Sequence, residues 1–499
     1  MKNVKKVLCA VAAVSVALTS CAGLCGCSKK GSKGSLVWYT FGEKPDGHEA
    51  VMEEINKIVE PELGMKLDLQ YIDNASYSQK MKMKMASGDE YDLLFTGYLY
   101  DYQTAAAMGG LYDITELLDN IEMKDGKKVK MSDVVEDYYL ETATYNGKIY
   151  GIPNTQVISN PWGLVIEKSL AEECGVDLEG LETLAMKMKV DDLEALDAYL
   201  SKLTEEMDKV KQKRPDLYTV LPFMFGPTGY EDLGSGVTLN LETNKIAVKA
   251  DVPTYQRTIE YLNLWYEKGY IREDIASKGA SPSSVEEKKQ YAFRIDSWKP
   301  GVEAIQEKQY GAEYAYTMLS KPFVGRTSAL ATMTSVGAYT KHPEEAVKLI
   351  YMINSNKELY NLLCWGIEGV NYTVNEDGTV KEIADSGYNN IGQSAWKFGN
   401  QFNSHVMEGQ PIDVWEKTEE MNNNAEKSVA LGFVPYLDDL STEIANIANV
   451  EAEYVAKKDF GTVKREVYWD EYREKLAQAG VEKVRDEIQK QYDEFIKNK

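Results

Sequence analysis

Apolar and polar positions along the chain follow two periods in turn. Leu36 to Thr40 is a short apolar and aromatic run that meets a Gly-, Pro- and Asp-rich turn at Gly42 to Gly47, which predicts a strand ending there. Glu49 to Val59 continues as a helix, and Met65 to Ile72 alternates with period two, so the opening reads strand, helix, strand. Tyr77 to Ser87 predicts another helix and Tyr91 to Phe95 a buried strand; Ala105 to Met108 then leads through Gly109-Gly110 into an amphipathic segment from Ile114. This alternation predicts an α/β fold, a parallel sheet with helices on its faces and a ligand crevice at the carboxyl ends of its strands.

Lys148 to Pro153 reads as a strand leaving a first lobe, and a second alternating region begins near Trp162. Within it Leu193, Leu196, Leu200, Leu203, Met207 and Val210 fall at spacings of three and four, the buried stripe of a long helix. Asp251 to Lys268 predicts a second helix, with Asp251 as its cap and Pro253 in its first turn. Pro322 to Tyr339 brings the chain back, a helix runs from Pro343 to about Leu363, and Trp469 to Phe495 is charged and helical. A single core saturates near roughly 250 to 300 residues, so a chain of 499 is expected to form two lobes. The expected division is 36–152 plus 329–372 for the first lobe and 153–328 plus 373–499 for the second.

The start of the chain changes the picture. Lys2, Lys5 and Lys6 precede an apolar run from Val7 to Leu18, which is shorter than the roughly 20 residues that span a bilayer and so reads as a signal peptide, 1–27. Leu24-Cys25-Gly26-Cys27 resembles the lipobox at which bacterial signal peptides are cut and lipidated, and Leu18-Thr19-Ser20-Cys21 fits the same pattern. Cys27 is the favoured site, because the Gly/Ser/Lys stretch that follows it, 28–35, reads as a flexible tether. Only Cys174 and Cys364 remain beyond the leader, so neither a disulfide framework nor a cysteine metal site is expected. A formal charge of −23 argues against nucleic acid as a ligand, since phosphate backbones require a dense basic surface. The acidic residues are interspersed with lysines on helices, as in Glu205 to Lys213, which reads as solvated faces.

Several segments carry a family resemblance. Ser320 to Thr334 followed by Lys341 to Glu345 resembles the return crossing of bacterial sugar-binding proteins. Trp365 to Tyr372 with Asn375 to Thr379 is similar to the Gly-Ile-Glu-Gly turn and hairpin of large lipoproteins in the extracellular solute-binding family 1 group. Trp396 to Asn403, Ser428 to Pro435, Thr442 to Tyr454 and Tyr468 to Phe495 resemble the C-terminal domain of a subset serving oligosaccharide ABC importers. Val434 to Asp438 departs from that pattern. The resemblance implies a two-lobed, hinge-bending periplasmic-binding-protein fold. It also implies a monomer that binds an oligosaccharide, works with ABC permease subunits, and is lipid-anchored at the outer face of the cytoplasmic membrane. No cofactor is implied.

A sugar ring needs an aromatic plane for its C–H face and amides or carboxylates for its hydroxyls, and Tyr and Trp combine an apolar body with a polar handle. Trp38 and Tyr39, near the carboxyl end of the first strand, are therefore candidate binders, with core packing as the competing role. Trp162 follows the presumed crossing, and Trp298 precedes a Pro-Gly turn. Trp396, Asn400 and Gln401 join one plane to two amides. In the family-like arrangement, Trp365 and Glu368 face the cleft. Trp265 and Trp469 lie within helices and are expected in the core.

Two other functions fit parts of the chain. A carrier of peptides or other polar solutes shares the leader and the lobes. A glycan-cleaving enzyme needs two placed carboxylates, but the three histidines lack metal spacing and no Gly-x-Ser-x-Gly elbow occurs. Asn375-Glu376-Asp377-Gly378 lacks the spacing of a calcium loop and predicts a hairpin turn.

Overall fold

The computed structural model describes residues 34–222, 229–282, 284–388 and 392–498. The expected lipidation site, Cys27, lies outside the described residues. Nine strands build the two main sheets: β1 (Ser35–Phe41), β2 (Lys66–Ile72), β3 (Leu93–Gly97), β4 (Gly151–Pro153), β5 (Trp162–Glu167), β6 (Tyr218–Val220), β7 (Tyr291–Ser297), β8 (Tyr314–Met318) and β9 (Thr332–Val336). The first sheet has the order β2-β1-β3-β9-β4 and the second β8-β5-β7-β6. In the first, β1 runs parallel to β2 and β3, as the alternating pattern predicts. The returning strand β9 pairs antiparallel with β3 and β4, so the sheet is mixed rather than wholly parallel.

Local chemistry explains where the helices stop. His48–Leu63 is bounded by Gly47 and Gly64, both at positive φ, which suits a residue without Cβ. The single helix expected from Pro343 to Leu363 is two, Pro343–Ser355 and Lys357–Trp365. Asn356 takes an extended conformation between them and its side chain accepts from the Leu359 N–H at 3.0 Å, capping the second. Gly480, at φ 94°, likewise divides the tail into Arg465–Ala479 and Val481–Asn498. Asp251 is not the cap of Pro253–Glu267: it ends a short 3-10 turn, and its carboxylate pairs with Arg473 instead.

Among the described residues three large apolar cores follow, beside a small cluster of Val165, Tyr310 and Tyr314. The first gathers Trp38, Leu93, Phe95, Ile152 and Val336 under the helices of the first lobe. The second packs the predicted stripe of Leu193–Lys213 (Leu196, Leu200, Leu203, Met207, Val210) against Leu164, Phe293 and Trp265. The third joins Val237, Leu239 and Val248 of a small antiparallel sheet to Tyr454, Tyr472, Ile488 and Tyr492 of the three C-terminal helices. The expected division of the lobes needs correction. Val324, Val380, Tyr388, Ala395, Phe398 and Met407 all pack in the first core, so the first lobe includes chain well beyond residue 372. Burial of these apolar groups outweighs their position in the sequence.

The chain therefore crosses between lobes three times: at 154–162, again at 318–332, and out along 407–430. Asn422 ties the crossings together, because an amide supplies donor and acceptor at once. Its Oδ1 accepts from the Ile158 N–H at 3.2 Å and the Ser159 hydroxyl at 2.8 Å, and its Nδ2 donates to the Gln156 carbonyl at 2.7 Å. Phe323–Val324 and Glu426–Lys427 pair in parallel beside it. No helix among the described residues is long and apolar enough to cross a membrane.

Candidate functional site

The first-lobe site is built at the carboxyl ends of β1 and β3, where this architecture leaves a crevice. Phe41 closes β1 and is buried, with its ring edge-on to Phe95 at 4.8 Å and to Tyr98 at 5.8 Å. Trp396 lies tilted 35° over Phe41 at 5.9 Å and 6.0 Å from Tyr98. Tyr98 is 58% exposed and Trp396 half-buried, so this platform presents ring surface outward. Buried Asn154, at the point where β4 gives way to the crossing, holds the platform's backbone. Its Nδ2 donates to the Lys397 carbonyl at 2.8 Å and the Trp396 carbonyl at 3.4 Å, while its Oδ1 accepts from the Thr334 hydroxyl at 3.2 Å.

At the other end of the same crossing, Trp162 opens β5 and is 56% exposed. Its N–H donates to the Ser320 hydroxyl at 3.1 Å and its carbonyl accepts from the Leu319 N–H at 2.8 Å. Trp298 is beside it: its N–H donates to the Pro161 carbonyl at 2.8 Å and its indole to Glu303 at 2.9 Å. Behind this pair a buried Arg294 guanidinium sits between the rings of Tyr310 and Tyr314 at 4.8 and 4.7 Å. It reaches Gln306 at 3.4 Å, and Gln306 in turn donates to Asp296 at 3.1 Å.

Other candidates have structural roles. Trp38 is 1% exposed and packs edge-on against Phe398 at 5.3 Å, a core residue rather than a binder. Strand alternation sends it inward, and β1 ends only at Phe41. Tyr39 lies on the opposite face, edge-on to Tyr91 and with Lys84 4.6 Å above its ring. Trp365, 5% exposed, gives its indole N–H to the Ser404 hydroxyl at 2.9 Å. Glu368 is exposed, on the turn beside the Tyr372–His405 pair. The Asn400 side chain accepts from the Phe402 N–H within its own loop, and the N–H of buried Gln401 donates to the Thr155 carbonyl, which fastens the Trp396 loop to the crossing segment. The reading of the sequence missed Phe41, Tyr98, Asn154 and Lys397. Tyr98 had a signal, since it directly follows Gly97 at the end of a strand.

Burial pushes the Lys397 ammonium down to about 8. Among the described residues no three His, Cys, Asp or Glu are grouped to hold a metal ion. Asp377 accepts from both the N–H and the hydroxyl of Thr379, which closes the hairpin turn.

Two lobes, each offering aromatic planes at one end of a shared crossing segment, define a solute-binding protein. The sequence profile described as bacterial extracellular solute-binding protein matches residues 53–383, and one described as domain of unknown function (DUF3502) matches 429–497. The chain belongs to the bacterial extracellular solute-binding proteins, a family of binders rather than enzymes. A carbohydrate ABC transporter substrate-binding protein of Streptococcus pneumoniae serotype 4 is 30% identical, with 100% of both chains covered. The crystal structure of the N-glycan transport solute binding protein (NgtS) from Streptococcus pneumoniae superimposes with a TM-score of 0.79 at 25% identity, over 93% of this chain and 99% of that one. The NgtS complex with Man5GlcNAc gives 0.67 at 26% identity over the same shares. The Streptococcus pneumoniae ABC-transporter substrate binding protein FusA, in complex with kestose, matches at 14% identity with a TM-score of 0.58 over 93% and 100%, a likeness of fold alone.

Proposed function

We propose that this chain captures an oligosaccharide between its lobes and delivers it to the permease subunits of an ABC importer, acting as a monomer held outside the cell by a lipid on Cys27. The observation that carries this reading is the pair of aromatic platforms at the two ends of one crossing segment: Trp396 with Tyr98 beside Asn154, and Trp162 with Trp298. Closure about the hinge brings such surfaces together on a cargo. The carbohydrate-transporter name of the relative matched over its full length, and the Man5GlcNAc complex of NgtS, support saccharide as the cargo class.

Magnitudes agree with a carrier that must release what it binds. An aromatic side chain buries about 150 to 250 Å², worth roughly 25 cal/mol per Å², so two or three rings supply on the order of 10 kcal/mol. Association and side-chain ordering consume several of these. The remainder is near the roughly −8 kcal/mol of a micromolar complex.

Isothermal titration against manno-, gluco-, xylo- and galacto-oligosaccharides tests the reading, with binding to at least one series expected. Silence across all of them, with heat released by a peptide, overturns it. For the anchor, labelled palmitate incorporated by the wild type and lost in Cys27→Ala is the expected result; label retained in that variant moves the site to Cys21.

A further inference from the structure

Lys397 is out of keeping with its surroundings. Its Nζ lies 4.3 Å from the centroid of the Phe41 ring and 5.9 Å from that of Trp396, inside the first-lobe platform. Its hydrogen-bond partner is a single neutral atom, the Phe41 carbonyl at 3.5 Å. Among the described side chains no carboxylate lies within ion-pair reach of it. The ionisable group acting on it is the thiol of Cys364, which burial holds in its neutral form. A Cβ at Gly42 would stand 3.4 Å from Nζ, so the bare backbone there leaves the ammonium its space.

Lys299 sharpens the contrast. It too follows a candidate platform tryptophan and is pushed down by burial, but Asp296 acts on it with opposite charge. A partly buried ammonium without a counter-ion weakens folding unless something compensates, and in a binding cleft the cargo can supply the missing charge.

We infer that the oligosaccharide carried by this chain bears an anionic substituent, a carboxylate, sulfate or phosphate, that pairs with Lys397 Nζ while an adjoining sugar ring stacks on Trp396 and Tyr98. The inference rests on the oligosaccharide reading above and makes Lys397 a specificity-determining residue. Charge-assisted hydrogen bonds are short and strong, and the aromatic surroundings lower the local dielectric in which the pair forms. The chain's overall charge of −23 does not forbid it, because exposed charges beyond about 8 Å are largely screened at physiological salt.

The test is titration calorimetry on the whole chain with matched glycan pairs, each a neutral oligosaccharide and the same oligosaccharide carrying one uronate, sulfate or phosphate. The acidic member of at least one pair is expected to bind about tenfold tighter or more, the range of a hydrogen bond to a charged group. Lys397→Met is expected to abolish that preference, the two members of each pair then binding alike; Lys397→Arg is expected to retain it. Melting curves on both variants verify folding, and Lys397→Gln replaces the methionine variant should that one unfold. Equal binding within every pair, or a preference that survives loss of the cation, overturns this inference alone. Failure of every pair to bind overturns the oligosaccharide reading, and this inference with it.

Discussion

At the first-lobe end of the crossing segment, Trp396 and Tyr98 stand over Phe41, with Lys397 against the Phe41 ring and no carboxylate of the described residues within ion-pair reach. At the second-lobe end Trp298 is tied to Glu303, and the strands behind it carry Arg294, Gln306 and Asp296 in a hydrogen-bonded series. Both ends offer aromatic surface, but at the second Asp296 acts on Lys299 with opposite charge, whereas no carboxylate of the described residues acts on Lys397. A charge answered within the protein contributes to rigidity, whereas one left unanswered at a cleft is available to a ligand.

Removing the recognising plane breaks the comparison most severely. Trp396→Ala is expected to weaken saccharide binding by about 3 kcal/mol, more than a hundredfold, as for a central interface aromatic, and titration calorimetry reads it directly. Asn154→Ala comes next. It strips a donor from two part-buried carbonyls, so it is expected to lower unfolding stability by about 1 to 3 kcal/mol. It is also expected to reduce affinity although Asn154 is buried, because the Trp396 loop loses its tether. Urea unfolding and titration on the same preparation separate the two effects, and an unchanged affinity would show the loop to be held by other contacts.

A smaller effect is expected from Trp162→Ala. The ring is largely exposed in the unliganded chain, so stability should move by no more than about 0.5 kcal/mol. Binding should fall about tenfold, about 1.4 kcal/mol. If Trp162 and Trp396 act on opposite sides of one cargo, the double variant will lose less than the sum of the two. The slightest effect is that of pH. Folded Lys397 releases its proton near 8 while the unfolded lysine holds it to about 10.5, so the unfolded state binds more protons between those values and stability rises with pH across that window. Melting temperatures of wild type and Lys397→Met between pH 7.5 and 9.5 are expected to converge as pH increases, and a constant difference would place the lysine in solvent.

The period-two runs and the stripe from Leu196 to Val210 were legible because each is a local pattern that solvent exposure alone enforces. The candidate site was less so. Trp162 and Trp298 stand at the rim of the second lobe, as their places beside a crossing and a turn suggested. Trp38 does not, because a strand two residues longer than its apolar run moved the rim to Phe41 and sent the tryptophan inward. Trp365 went to the core for a similar reason: its helix ends against Ser404, on a segment that a boundary at 372 would have assigned to the other lobe.

Composition and periodicity by themselves determined an α/β chain too long for one core, rich in aromatic residues and poor in cysteine. Those are properties of short windows and of totals, and water sorts them without regard to what lies far along the chain. Only the tertiary structure decided that Asn154 meets Lys397 across 243 positions, that the chain crosses three times, and that Lys397 is partly buried with no acid of the described residues within ion-pair reach. Such pairings depend on which surfaces the packed lobes bring together, and no local pattern encodes that.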